Sequence, residues 1–263
     1  MNTLVYAKTG AKLVYSPIQQ FKGVVVICPG GGYIWRSPRE AEPVSAAFAK
    51  NGWQPAILEY SVRKEGDAPL GTTPLQELAW AVDTMRRTFT RSGQYCPVIL
   101  CGFSAGAHLV ASLGVHWEDR LLFSDYDNLR CIRPDAMILA YPVITAGTFA
   151  HVDSFKALVG DADTSYFSLE TQVKETTPPT FLWHTVSDEL VSVQNTMLFA
   201  GALLQNHVPM EMHLYPAGLH GLSLATPEVD EPQKGRLSDM HVAGWFNDCI
   251  EWLDWWLTTA AAY

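Results

Sequence analysis

Short apolar runs alternate along this chain with longer stretches of helical periodicity. Residues 4–6 and 12–16 flank Thr9-Gly10 and predict an opening hairpin. Residues 24–28 form an unbroken apolar run, as a strand buried on both faces requires. Further strands are predicted at 55–60, 98–101, 136–140, 181–184 and 210–215. Between them the period changes to that of a helix. A helix at 40–51 closes on Asn51-Gly52, and one at 74–91 places Leu75, Leu78, Ala79, Val82 and Phe89 on one face. Others are predicted at 105–113, at 192–205 and, amphipathic, at 242–257. A hairpin followed by strand–helix repeats predicts one α/β domain over residues 1–263, a mostly parallel sheet with helices on both faces. Segments 117–133 and 145–179 fit the alternation less well and are read as a small cap over the site. Ligands of such sheets bind beyond the carboxyl ends of the strands, so chemistry is expected in the residues that follow each strand.

Three of those post-strand segments carry candidates. Gly102-Phe103-Ser104-Ala105-Gly106 stands between a predicted strand and a predicted helix and matches the nucleophile elbow, a tight turn that holds a serine above the sheet. Pro29-Gly30-Gly31-Gly32-Tyr33 follows the strand at 24–28. It lacks the spacing of a dinucleotide or P-loop motif, which leaves an oxyanion hole built from the N–H groups of Gly31, Gly32 and Ala105. Asp188 follows the strand at 181–184, and His220 follows the strand at 210–215. The order Ser104, Asp188, His220 gives a nucleophile, then an orienting acid, then a base. Glu189 is the rival acid, and Asp188 has the alternative role of a helix N-cap. His108 reads as a packed, hydrogen-bonded residue, and His184 as a neighbour of the site. Tyr33, Trp35 and Trp183 stand next to these motifs and are read either as core or as an aromatic wall for the substrate.

Composition narrows the partners. The chain has 263 residues, a net charge of −9 and no basic stripe, so nucleic acid is not an expected partner. No apolar run reaches membrane-spanning length. The first sixteen residues lack a basic region followed by an apolar one, and the five cysteines are odd in number with no CxxC spacing. Reduced thiols in a cytoplasmic protein are therefore expected, with one disulfide or a mature form stripped of its signal as alternatives. No histidine or cysteine cluster has metal-ligand spacing, so neither metal nor cofactor is expected. Trp245, Trp252, Trp255 and Trp256 exceed what one buried helix face accommodates, which points to a homo-oligomer interface for some of them.

On these motifs the chain resembles the esterase/lipase branch of the α/β-hydrolase superfamily. It is similar above all to small acetylxylan-esterase-like and feruloyl-esterase-like carboxylesterases related to the hormone-sensitive-lipase group. The resemblance is carried by Pro29–Tyr33, by GFSAGAHL from Gly102, YPVI from Tyr141, PPTFLWHTVSDELV from Pro178 and YPAGLHGL from Tyr215. Pro29 stands where that lipase group usually has His, and Phe103 where it usually has Asp, and both departures suit the acetyl-esterase relatives better. The resemblance implies an eight-stranded α/β-hydrolase fold, no cofactor and a small-molecule ester substrate. Short acyl groups, acetyl above all, and acetylated sugars are expected. Rival readings are a peptidase, lactonase or acyltransferase on the same triad, and a non-catalytic binding protein of the same fold.

Overall fold

The computed structural model describes residues 1–90 and 95–260. Eight strands form one sheet in the order β1-β2-β4-β3-β5-β6-β7-β8. They are β1 (Asn2–Val5), β2 (Lys12–Tyr15), β3 (Val24–Cys28), β4 (Gln54–Glu59), β5 (Val98–Phe103), β6 (Ala136–Ala140), β7 (Thr180–Thr185) and β8 (Met210–Tyr215). The first three strands in that order pair antiparallel, and every later neighbour is parallel. All eight predicted strands are present, with ends shifted by one or two residues.

Strand alternation divides the interior into two cores. Val24, Val26 and Cys28 face one side of the sheet, and Val25 and Ile27 face the other. The first side is covered by α2 (Thr73–Phe89), α3 (Ala105–His116), α4 (Val152–Val159) and α5 (Gln194–Gln205). The second is covered by α1 (Glu42–Lys50) and α6 (Met240–Ala260). Burial on both faces is why β3, β5, β6 and β7 read as continuous apolar runs rather than as alternating ones. Trp245 and Trp252 are buried against the sheet, and Trp255 is exposed. No helix is long and apolar enough to cross a membrane among the described residues. The predicted end of the helix at 74–91, Arg91, lies outside the described residues.

The sheet's strand order reverses between β3 and β5, and this switch point puts the end of β3 beside the end of β5. α3 runs back from there toward the amino ends of the strands. It therefore delivers segment 117–133 to the edge opposite Ser104. There the Arg86 guanidinium donates to the carbonyls of Cys131 and Arg133 and pairs with Asp135, whose own N–H donates to Val98 O at the start of β5. This corrects the expectation that 117–133 caps the site. Within 145–179, only the part around α4 reaches the site, through His151 and Asp153.

Candidate active site

Ser104 has φ 53° and ψ −118°, a conformation that costs a non-glycine residue about 1–3 kcal/mol. Close packing enforces it. A Cβ added at Gly102 would lie 2.4 Å from Gly106 O, and one added at Gly106 would lie 2.0 Å from Cys28 O. The two glycines let α3 start directly above β3 and β5, and this leaves the serine no room to relax. Gly106→Ala should lower the thermal midpoint sharply, by the equivalent of about 3 kcal/mol or more. A midpoint unchanged in a thermal melt would mean that the turn is not packed this way.

Ser104 Oγ–H donates to His220 Nε2 at 2.8 Å, and His220 Nδ1–H donates to Asp188 Oδ2 at 2.6 Å. Asp188 Oδ1 accepts the N–H groups of Leu190 and Val191 at 3.0 and 2.9 Å, so its role is not to cap α5, which starts at Gln194. Glu189 is exposed, and among the described residues the carboxylate that pairs with His220 is that of Asp188. His184 lies behind the carboxylate. Its Nε2–H is shared between Asp188 Oδ2 and Val191 O, and its Nδ1 accepts Thr196 Oγ1–H at 2.7 Å. Burial raises the Asp188 pKa, but hydrogen bonds from His184, His220 and Val191 N–H outweigh it and hold the carboxyl well below the usual range. The acid thus stays ionised beside a buried imidazole.

The glycine loop shows where its free N–H groups point. Gly30 O accepts Ser37 N–H at 2.9 Å, and Gly31 O accepts the N–H groups of Ile34 and Trp35 at 3.0 and 3.2 Å. A trans peptide holds its C=O and N–H antiparallel. Engaging those two carbonyls therefore turns the N–H groups of Gly31 and Gly32 the other way. Among the described residues no acceptor meets the N–H of Gly31, Gly32 or Ala105. Gly31 has φ +131°, and a Cβ there would lie 2.3 Å from Trp35 O, so only glycine fits.

A cavity of about 280 Å³ opens beside these groups, lined among others by Gly31, Gly32, Trp35, Ser104, His151 and His220. Trp35 is 46% exposed and forms part of its wall. The other two aromatic candidates are corrected. Tyr33 is buried, and its O–H donates to His108 Nδ1 at 2.8 Å below the loop. Its φ of 62° turns the side chain inward. Trp183 is fully buried and stacks on Trp245 at 5.0 Å between ring centroids, because its position in β7 faces the α1/α6 core. His108 is packed as expected, and burial drops its pKa to about 4.

Sequence reasoning missed several residues around the cavity. Glu40, read as the start of a helix, is instead the last residue of a 3₁₀ turn, Pro38–Glu40, with its carboxylate turned inward. Tyr141 packs edge-on against His220 with centroids 5.0 Å apart. Arg236 Nε–H donates to His220 O at 2.8 Å. His151 accepts or donates at Nδ1 with Ser154 Oγ, and burial and then the nearby His220 lower its pKa, so it sits neutral beside Gly32. Spacing could not have found His151, whose neighbours come from distant loops. Tyr141 had two sequence signals, its place after a strand and its lead position in the YPVI motif, but neither showed that its ring meets His220.

The fold and this site define an α/β hydrolase. An acetyl ester-xyloside bifunctional hydrolase from Caldicellulosiruptor lactoaceticus is 32% identical, with 93% of this chain and 88% of that chain covered and a TM-score of 0.75. A sugar hydrolase from Lactococcus lactis is 30% identical over 98% of both chains, TM-score 0.82. A carboxylesterase from Lactobacillus plantarum is 26% identical, covering 96% and 95%, TM-score 0.80. Endo-1,4-beta-xylanase B of Butyrivibrio fibrisolvens is 37% identical over 212 residues, 78% of this chain, and the chain spans only 33% of that relative's length. The chain matches no family profile. It belongs to the small carboxylesterase branch of the α/β-hydrolase superfamily and is a carboxylic ester hydrolase.

Proposed function

We propose that this protein removes short acyl groups, acetyl foremost, from esters of sugar-like alcohols through a Ser104–His220–Asp188 triad. The observation that carries this reading is the continuous hydrogen-bond chain from Ser104 Oγ through His220 to Asp188, facing a cavity that also receives the Gly31 and Gly32 peptides. His220 Nε2 takes the Ser104 proton as Oγ attacks the acyl carbon. The N–H groups of Gly31, Gly32 and Ala105 hold the oxyanion. The imidazolium, stabilised by Asp188, then gives its proton to the leaving alkoxide. Water, deprotonated by His220, attacks the acyl-enzyme. Ser104 recovers its proton, and the carboxylic acid leaves.

Two observations support the short acyl group. The cavity, at about 280 Å³, falls just below the range of about 300–1,000 Å³ typical of ligand pockets. The Caldicellulosiruptor relative is an acetyl ester hydrolase by name. Sugar alcohols are supported by the names of the xyloside, sugar and xylan hydrolases, and by Trp35, whose exposed ring offers a sugar face a platform. The α4 region, through His151 and Asp153, serves as the small cap on a single catalytic domain. Free cysteines at 28, 96, 101, 131 and 249 suit a reducing compartment such as the cytoplasm.

The test is a series of p-nitrophenyl acetate, butyrate, octanoate and palmitate. kcat/KM should fall with chain length, octanoate at least about tenfold below acetate, since surplus methylenes have no room. Acetate should also be released from acetylated xylo-oligosaccharides. A profile flat out to palmitate would sink the short-acyl assignment.

A further inference from the structure

Glu40 is 3% exposed and lines the cavity beside Ser104. Among the described residues no cationic side chain lies within 4.0 Å of its carboxylate. Burying a carboxylate without a counter-ion is costly, so its hydrogen bonds must carry the reason for its place. Oε2 accepts Gly30 N–H at 2.7 Å, and Oε1 accepts Tyr141 O–H at 2.7 Å. Tyr141 Oη in turn accepts Ser223 N–H at 3.0 Å, and Ser223 Oγ–H donates to Arg39 O at 2.7 Å. One carboxylate therefore joins the glycine loop after β3, the end of β6 and the loop that carries His220.

The loop geometry gives this link a consequence. The Pro29–Gly30 peptide is held at both ends, by Tyr60 O–H on Pro29 O at 2.5 Å and by Glu40 on Gly30 N–H. The next peptide is held by Ser37 N–H on Gly30 O, and its own N–H is the free donor of Gly31. With both peptides held, the φ and ψ of Gly30 between them are constrained, and with them the direction of the Gly31 N–H. Tyr141 meanwhile presses its ring against His220. We propose that Glu40 and Tyr141 are positioning residues that set the Gly31 and Gly32 donors in register with His220, a role that rests on the esterase reading above. A carboxylate suits the task because two donors converge on it and both of its oxygens accept. A glutamine would turn an amide N–H₂ toward one of those donors.

The experiment uses the full chain. Glu40→Gln and Tyr141→Phe are assayed on p-nitrophenyl acetate, with kcat expressed per folded molecule from thermal unfolding curves. Each should lower kcat roughly 10- to 100-fold with KM changed less than about twofold, the signature of donors displaced only in the transition state. Inhibition by an arylboronic acid, which forms a tetrahedral adduct on serine, should weaken by the same factor as kcat/KM. A purely structural role would lower the folded fraction and leave kcat per folded molecule and boronate affinity unchanged, and that result overturns the proposal. So does a kcat for both variants within about threefold of wild type. If Glu40→Gln does not fold, Tyr141→Phe decides, since it removes one hydroxyl and keeps the ring. Ser104→Ala run alongside separates the two ideas. Turnover that survives in Ser104→Ala defeats the esterase reading, whereas Ser104-dependent turnover untouched by Tyr141→Phe defeats only the positioning role.

Discussion

Ser104→Ala should lower kcat on p-nitrophenyl acetate by roughly a million-fold while the protein folds as wild type does. The size of the effect follows from how the triad works. Nucleophile, base and acid act as a unit, so loss of the nucleophile alone forfeits nearly all that the three achieve together. What remains is the smaller acceleration that the proposed oxyanion donors and substrate binding would supply. The fold should be indifferent, because among the described residues the Ser104 side chain hydrogen-bonds His220 alone. The strained φ of 53° is imposed by the backbone around it and is as tolerable to alanine as to serine. Steady-state assay with circular dichroism as the folding control checks both halves. A variant retaining a tenth or more of wild-type activity would remove Ser104 from the reaction.

Asp188→Asn should cost about ten-thousand-fold in kcat, against less than about twofold for Glu189→Gln. Local geometry fixes which way the new amide must face. The Oδ1 position receives two backbone N–H groups, from Leu190 and Val191, so the amide oxygen stays there. The amide N–H₂ then occupies the Oδ2 position, facing His220 Nδ1 and His184 Nε2. His220 must answer with an unprotonated Nδ1, which moves its proton to Nε2. In that tautomer it donates toward Ser104 and has no lone pair to take the serine's proton. Equal losses at Glu189→Gln would transfer the acid's role to that residue. The same variant can be followed by its stability. The Asp188 carboxyl has a folded pKa below its ordinary 3.8. Its ionised form therefore adds stability that is fully present above the unfolded value and is lost as pH falls through the folded one. The difference in thermal midpoint between wild type and Asp188→Asn should accordingly narrow as pH is lowered from about 6 to about 3.

Ser104, Asp188 and His220 were legible as candidates because each follows a strand of the parallel part of the sheet, within five residues of its carboxyl end. Strand β5 could be read from four apolar residues, and the glycines of 102 and 106 carry their own steric explanation. The same logic failed for Trp183 and Tyr33. Both stand within a few residues of the site, but closeness along a strand says nothing about which face a side chain takes. Trp183 shares a face with Phe181 and points into the α1/α6 core, and Tyr33 is turned under the loop by a positive φ. Segment 117–133 was misplaced because a helix of twelve residues carries the chain to the far edge of the sheet, and helix direction is not part of a hydropathy pattern. Glu40 looked like an ordinary acidic residue at a helix start. Its burial depends on partners at 30 and 141, which no local window contains.

The loop after β3 divides labour within single residues. Trp35 contributes its main-chain N–H to hold Gly31 O, and its side chain to the wall of the cavity. The proposed donors for the oxyanion are peptide groups, so no exchange of side chains at 34 or 35 deletes them. Substitutions there can reshape the wall that a substrate meets while the apparatus beneath remains in place. A lineage built on this loop can therefore move from one esterified alcohol to another by single steps, each intermediate still able to turn over an ester. Insertions or deletions between 29 and 37 are a different matter. They would break the carbonyl contacts that aim the donors, so divergence in this family should accumulate as replaced letters rather than as altered length.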